Sequence, residues 1–143
     1  MAGRVYVVDA SVVLKWFVSE DYSKEAEALR EAYANGLIDL AAPSLLPYEV
    51  LNALKYSTAF GEDELKEVAE VLDDLQITYY GLQKELAAKA VEIAMRKGVT
   101  VYDSSYLALA HRLQTIVYTA DERLIRKTSG TRLVEHIAKF NLL

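Results

Sequence analysis

The sequence predicts a three-layer α/β/α domain built on a mostly parallel sheet of about five strands. Short β-branched, apolar runs alternate with longer segments of helical period, the signature of strands joined by helical crossovers. The first apolar run is continuous rather than alternating, as expected of a strand covered on both faces. At 143 residues, 52% hydrophobic and 26% charged, the chain suits one domain with a single core over residues 1–143.

Taken in order, RVYVVD, from Arg4 to Asp9, is the first strand. Ser11 can cap a helix over SVVLKWFV, and a second helix from Ser23 to Ala34 stops at Asn35-Gly36. IDLAAP is strand two. Ser44 opens the next helix, which keeps Pro47 in its first turn, where the missing N–H is harmless, and runs through EVLNALKY. Beyond Gly61, EDELKEVAEVLDDL is amphipathic, ITYY is a short strand, and QKELAAKAVEIAMRKG is a helix ended by Gly98. DSSYLALAHRL is then a helix begun by an acidic cap, TIVYT strand four, and ADERLIRKTSG a short helix. TRLVEHI closes the sheet at an edge, where its charges are tolerable. No linker, repeat or low-complexity segment interrupts this pattern.

Composition narrows the chemistry. With no cysteine, thiolate metal sites and disulfides are excluded, and with two histidines the strong ligand candidates are mostly carboxylates. No apolar stretch reaches the eighteen or so residues that cross a bilayer, and MAGRVYVVDAS carries no cleavable signal pattern, so a cytoplasmic protein is expected. A formal net charge of -5 argues against an extended basic surface for nucleic acid, which leaves local or cation-bridged phosphate contacts.

Four acids stand where apolar runs end or within an apolar helix face: Asp9, Glu49, Asp103 and Asp121. In open parallel sheets the ligand site lies beyond the carboxyl ends of the strands, and all four belong to that edge. Three of them have a second reading as helix caps. Asp9, Asp103 and Asp121 each precede a helical pattern, and capping can coexist with cation binding. Glu49 has no such explanation, since it borders the apolar stripe of Leu46, Val50 and Leu54. Asn52, three residues on, can hold its carboxylate or a ligand water.

The segments VYVVDAS, PSLLPYEVLNAL, VYDSSYLALA and TADERLI resemble, in order and spacing, the acidic motifs of PIN-domain nucleases, above all the VapC-type ribonuclease toxins of toxin-antitoxin pairs. The resemblance spans nearly the whole chain. It implies that Asp9, Glu49, Asp103 and Asp121 form one acidic, metal-holding cluster, with Ser11, Asn52 and Thr119 supporting it. It also implies that the helix starting at Asp103 turns its first turn into the same pocket. Two carboxylates about 4 Å apart repel by roughly 4 kcal/mol at an effective dielectric of 20, so such a cluster calls for a cation. Mg²⁺ or Mn²⁺ suits oxygen donors and leaves positions for a phosphodiester. The expected activity is metal-dependent endonucleolytic hydrolysis of RNA, by a toxin neutralised by a cognate antitoxin; the alternative is a PIN-like scaffold that binds RNA or protein without cutting.

Lys15 and Arg123, near the motifs, are candidate phosphate contacts, and Tyr48, Tyr102 and Tyr106 are candidate base contacts among ten tyrosines that otherwise read as packing. His111 and His136 read as structural or surface residues. The apolar side of EDELKEVAEVLDD and the segment from Val12 to Val18, with Trp16, are candidate surfaces for a homodimer or the antitoxin. A phosphorylatable receiver-like domain is disfavoured, because VVDAS offers a single Asp rather than an acidic pair. An aspartyl-phosphate phosphatase is disfavoured because Ser11, not a second Asp, lies two residues after Asp9.

Overall fold

Strand β1 (Arg4–Val8) contains Val7 and Val8, both fully buried although neighbouring strand residues point to opposite faces; the sheet must therefore be covered on both sides. The computed structural model describes residues 4–141, so the first three residues of the stretch read for a signal lie outside it. Four further strands join β1, namely β2 (Ile38–Pro43), β3 (Thr78–Tyr80), β4 (Val117–Thr119) and β5 (Val134–His136). All pair in parallel in the order β3-β2-β1-β4-β5, with Val7 opposite Ala41 on one side and Val117 on the other. β5 lies at an edge, as its charge predicts.

Seven helices connect the strands among the described residues: α1 (Ala10–Val13), α2 (Ser23–Ala34), α3 (Leu46–Lys55), α4 (Glu62–Asp74), α5 (Lys84–Lys97), α6 (Val101–Leu113) and α7 (Glu122–Thr128). α6 is the central one. It packs over β1, β2 and β4 with α5 on its other side, and residues 104–110 are all buried, so SSYLALA reads apolar around the whole helix rather than along one stripe. Ser104 is accommodated there because its hydroxyl donates to the Ala90 carbonyl of α5 at 2.7 Å.

The predicted bounds of α2 and β2 coincide with the observed ones, and α5 ends where Gly98 takes a φ of +67°, a conformation glycine adopts without strain. Three helix starts differ. Ser44 does not open α3, because its N–H donates to the Tyr80 carbonyl and prolongs the β2–β3 ladder; the helix begins at Leu46. α6 begins at Val101, not Asp103: Thr100 is the cap, its hydroxyl accepting the Asp103 N–H at 3.0 Å. Ser11 caps nothing, since Asp9 holds the cap position of α1 and the Ser11 side chain points back toward the sheet edge. After one α turn the backbone tightens into a 3-10 turn over Leu14–Trp16.

The order of connection fixes where a ligand can sit. From β1 the chain steps outward through β2 to β3, then returns across the sheet through α5 and α6 to β4 on the other side of β1. The crevice between the carboxyl ends of β1 and β4 is thus the point where the winding reverses, the usual ligand position in such sheets.

Candidate active site

Asp9 follows the last residue of β1 and is 7% exposed. It stands at the cap position of α1, yet its carboxylate caps no helix. Instead Oδ2 accepts the Ser11 hydroxyl at 2.7 Å and the Thr119 hydroxyl at 2.8 Å. Each hydroxyl also accepts a backbone N–H from the turn after β4, Ser11 from Ala120 at 2.9 Å and Thr119 from Asp121 at 3.0 Å. Two relays therefore tie the end of β1 to the turn that carries Asp121. Burial pushes the Asp9 carboxyl above the ordinary carboxylate range, against the lowering effect of these hydroxyls and the Ala10 N–H, and the Asp121 charge adds to the rise.

Asp121 is the cap of α7, its Oδ1 accepting the Leu124 N–H at 3.1 Å, so the capping reading holds for it in full. Asp103 is the third residue of α6, half-buried, with its carboxyl raised by burial and then by the charges of Asp9 and Asp121; the Thr100 hydroxyl and Arg123 oppose this. Glu49 lies in the first turn of α3, half-buried. Its carboxyl is raised by burial and by Asp9 and Asp103, and lowered by one hydrogen bond, from the Tyr106 hydroxyl to Oε1 at 2.6 Å.

The four acids thus feel one another's charge: Asp9 acts on Glu49 and Asp103, and Asp121 on Asp9 and Asp103. Among the described residues, however, no three acidic or histidine side chains stand close enough together to enclose an ion as placed. The donors are all hard oxygens, and three of the carboxyls are held neutral more readily than free ones. A divalent cation of the Mg²⁺ or Mn²⁺ class fits this chemistry, because it would relieve the repulsion and needs only a few protein oxygens.

Tyr106 corrects its sequence reading. A fully buried ring on α6 cannot stack on a base; its hydroxyl makes the bond to Glu49 that was expected of Asn52. The apolar run YLALA is the local sign that Tyr106 packs inward, but Asp103, Ser104 and Ser105 directly before it leave the facing of the ring undecided in the sequence. Asn52 is exposed and, with Tyr48, Tyr102 and Lys55, lines a cavity of about 750 Å³ that also reaches Glu49. Tyr48 and Tyr102 are exposed, at 77% and 67%. Lys15 is buried and paired with Glu20 at 3.0 Å, so its ammonium is already engaged away from solvent phosphate. Arg123 is exposed and lines a second cleft, of about 400 Å³, with Asp103, Asp121 and Lys127.

His111 is exposed, and His136 is structural: Nδ1 accepts the Ala138 N–H, and the ring meets Tyr22 edge-on. The segment 12–18 is turned inward at its start, while Leu14, Trp16, Phe17 and Val18 stay partly exposed. Val12 and Val13 are fully buried, and the Trp16 indole donates to the Ala26 carbonyl of α2. The apolar side of α4 is covered in part: Val68 and Leu72 are buried and the helix packs on α3, while Val71 stays exposed and Leu65 faces the cavity of about 750 Å³.

A PIN domain model matches residues 6–130. Ribonuclease VapC3 of Pyrobaculum aerophilum is 36% identical over 129 residues, covering 85% of this chain and 92% of that protein. Exonuclease VapC9 of the same organism is 26% identical over 130 residues, covering 91% and 90%. A chain in the structure of a toxin-antitoxin complex from Klebsiella pneumoniae superposes with a TM-score of 0.69, covering 92% of this chain and 97% of that one at 16% identity, a likeness of fold alone.

Proposed function

The chain belongs to the PIN-domain family, and from that premise we propose that it is a VapC-type toxin, a divalent-metal-dependent endoribonuclease acting at Asp9, Glu49, Asp103 and Asp121. The observation that carries this reading is the set of three carboxyls, Asp9, Glu49 and Asp103, at the carboxyl edge of the sheet, each raised by burial and by at least one neighbouring acid. When bound by these oxygens, Mg²⁺ or Mn²⁺ would supply the Lewis acidity that activates water and offsets charge on the phosphate.

The chain's own residues do the positioning. Ser11 and Thr119 both take Oδ2 of Asp9, which leaves Oδ1 as the oxygen neither hydroxyl engages. Tyr106 takes Oε1 of Glu49 and frees Oε2 in the same way. Glu49 and Asp103, both half-exposed, are the acids placed to hold an attacking water by a hydrogen bond. Arg123, at the mouth of the polar cleft beside Asp103, would hold a phosphate oxygen.

No helix among the described residues is long and apolar enough to cross a membrane, and the proposal places the protein in the cytoplasm, as a homodimer restrained by a small antitoxin that covers the acids. A second reading, a PIN-like scaffold that binds RNA or protein without cutting, draws on the spacing of the acids, which encloses no ion as placed. One experiment separates the readings. Structured RNAs and a circular single-stranded RNA are incubated with the protein, with and without Mg²⁺ or Mn²⁺. Metal-dependent cutting of the circle, lost in Asp9→Asn and Asp103→Asn, is expected. Digestion of linear RNA only would make the enzyme an exonuclease, and binding with no cleavage under any metal would leave the scaffold.

A further inference from the structure

The acids lie between two cavities of opposite character, and only the polar one has an obvious use in the reading above. The larger, about 750 Å³, is walled by Leu45, Leu51 and Leu65 together with the rings of Tyr48 and Tyr102. Its polar groups are few and ordered along one helix. On α3, Glu49, Asn52 and Lys55 follow one another at intervals of three residues, so the cavity runs from the acid cluster past an amide to an ammonium about 9 Å along the axis. Lys55 also lies 5.6 Å from the Tyr56 ring centroid, at the far end of the helix.

We propose that this cavity is a base pocket for one unpaired nucleotide adjoining the scissile phosphate. Asn52 would hydrogen-bond the base edge, Tyr48 or Tyr102 would stack on its face, and Lys55 would hold the next phosphate. The inference rests on the nuclease reading and adds to it a place and residues for recognising one base beside the acids. Three features favour a nucleotide over an apolar protein segment. The pocket is continuous with the acids through Glu49. In a chain of net charge -5, phosphates need local cations, and Lys55 is the cation lining this cavity while Arg123 and Lys127 line the other. An apolar segment would cover the Asn52 amide without pairing it, whereas a base edge offers both a donor and an acceptor. Exposed aromatic rings beside a scissile site are how single strands are held without a duplex.

The test uses short single-stranded RNAs carrying each of the four bases, or an abasic residue, on either side of a single cleavable linkage. The expected result is a base preference at one side, a fall in kcat/KM of about tenfold or more for the abasic substrate, and a preference reduced to under threefold in Asn52→Ala. Tyr102→Ala should raise KM by about tenfold and change kcat much less. Full-rate cutting of the abasic substrates, or an unchanged preference in Asn52→Ala, would overturn the pocket while leaving the nuclease intact. Should no RNA be cut, the nuclease reading fails by itself, and the pocket is decided by binding. An oligonucleotide with 2-aminopurine at the flanking position should be quenched by the protein and recover in Tyr102→Ala. No quenching, or a change only in sedimentation mass on mutating Tyr102, would assign the cavity to a second copy or another protein and end the proposal.

Discussion

The two halves of the acid cluster are built differently. At the strand ends, Asp9 is nearly sealed, and its Oδ2 takes two hydroxyls that are themselves pinned by backbone N–H groups of the facing turn. At the helix starts, Glu49 and Asp103 are half-open, Glu49 with a single hydrogen bond from Tyr106 and Asp103 held by its own N–H on Thr100. Hydrogen bonds to a charged group contribute about 1.5–3 kcal/mol each, whereas burying an ion costs several kcal/mol. Even doubly bonded, then, Asp9 stays raised, because desolvation outweighs its partners. On the proposed reading, the strand half is a braced socket whose buried charge a cation would offset, and the helix half is a pair of more open acids that would complete the site. That division accommodates acids which enclose no ion as placed.

Asp9→Asn should have the largest effect. Removing the sealed charge is expected to lower cleavage by about 10³-fold or more while raising the melting temperature of the metal-free protein by a few degrees. RNA cleavage assays check the first and calorimetry of the metal-free protein the second; a variant less stable than the parent in the absence of metal would mean that the buried charge carries no net desolvation cost. Thr119→Val comes next. It leaves the buried Oδ2 of Asp9 with one donor fewer and the Asp121 N–H without its acceptor, at about 1–3 kcal/mol, and should cut metal affinity by 10- to 100-fold. Urea midpoints and Mn²⁺ titration measure these separately.

Tyr106→Phe tests the other half. It removes one hydroxyl, keeps the buried ring, and should cost no more than about 1.5 kcal/mol. Weaker Mn²⁺ binding without a comparable loss of stability is expected; a stability loss as large as that of Thr119→Val would erase the distinction between the halves. The smallest effect is in pH. Asp9, Glu49 and Asp103 are raised in the folded state, which therefore binds more protons than the unfolded chain from the ordinary carboxylate range near pH 4 upward through the raised values. Their contribution to stability falls as pH rises across that window. Denaturant melts of metal-free protein at pH 4.5 and 7 should show the decline, and excess Mg²⁺ at pH 7 should recover it.

How far this was legible in the sequence depends on what each residue needs in order to be understood. The bounds of α2 and β2 follow from local chemistry, a glycine at positive φ and a continuous apolar run, and were readable as they stand. So were the acids themselves, since each interrupts an apolar pattern. Thr100, by contrast, displaced Asp103 as cap because either residue satisfies the capping rule and only packing chooses between them. Tyr106 was misread because a tyrosine beside an acid looks alike whether its ring faces the core or the solvent. The relays through Ser11 and Thr119 join residues 109 and 110 positions apart, a pairing that belongs to sheet order and to no local pattern.

That separation has a bearing on synthesis. Thr119 is made 110 residues after Asp9, yet it and the turn beyond it complete the hold on that acid. A nascent or truncated polypeptide stopping short of β4 has Asp9 and Ser11 but lacks the Thr119 hydroxyl and the Ala120 N–H that complete the hold. On the proposed nuclease reading, cleaving activity is thus expected only once β4 and the turn after it have been made and have folded against β1.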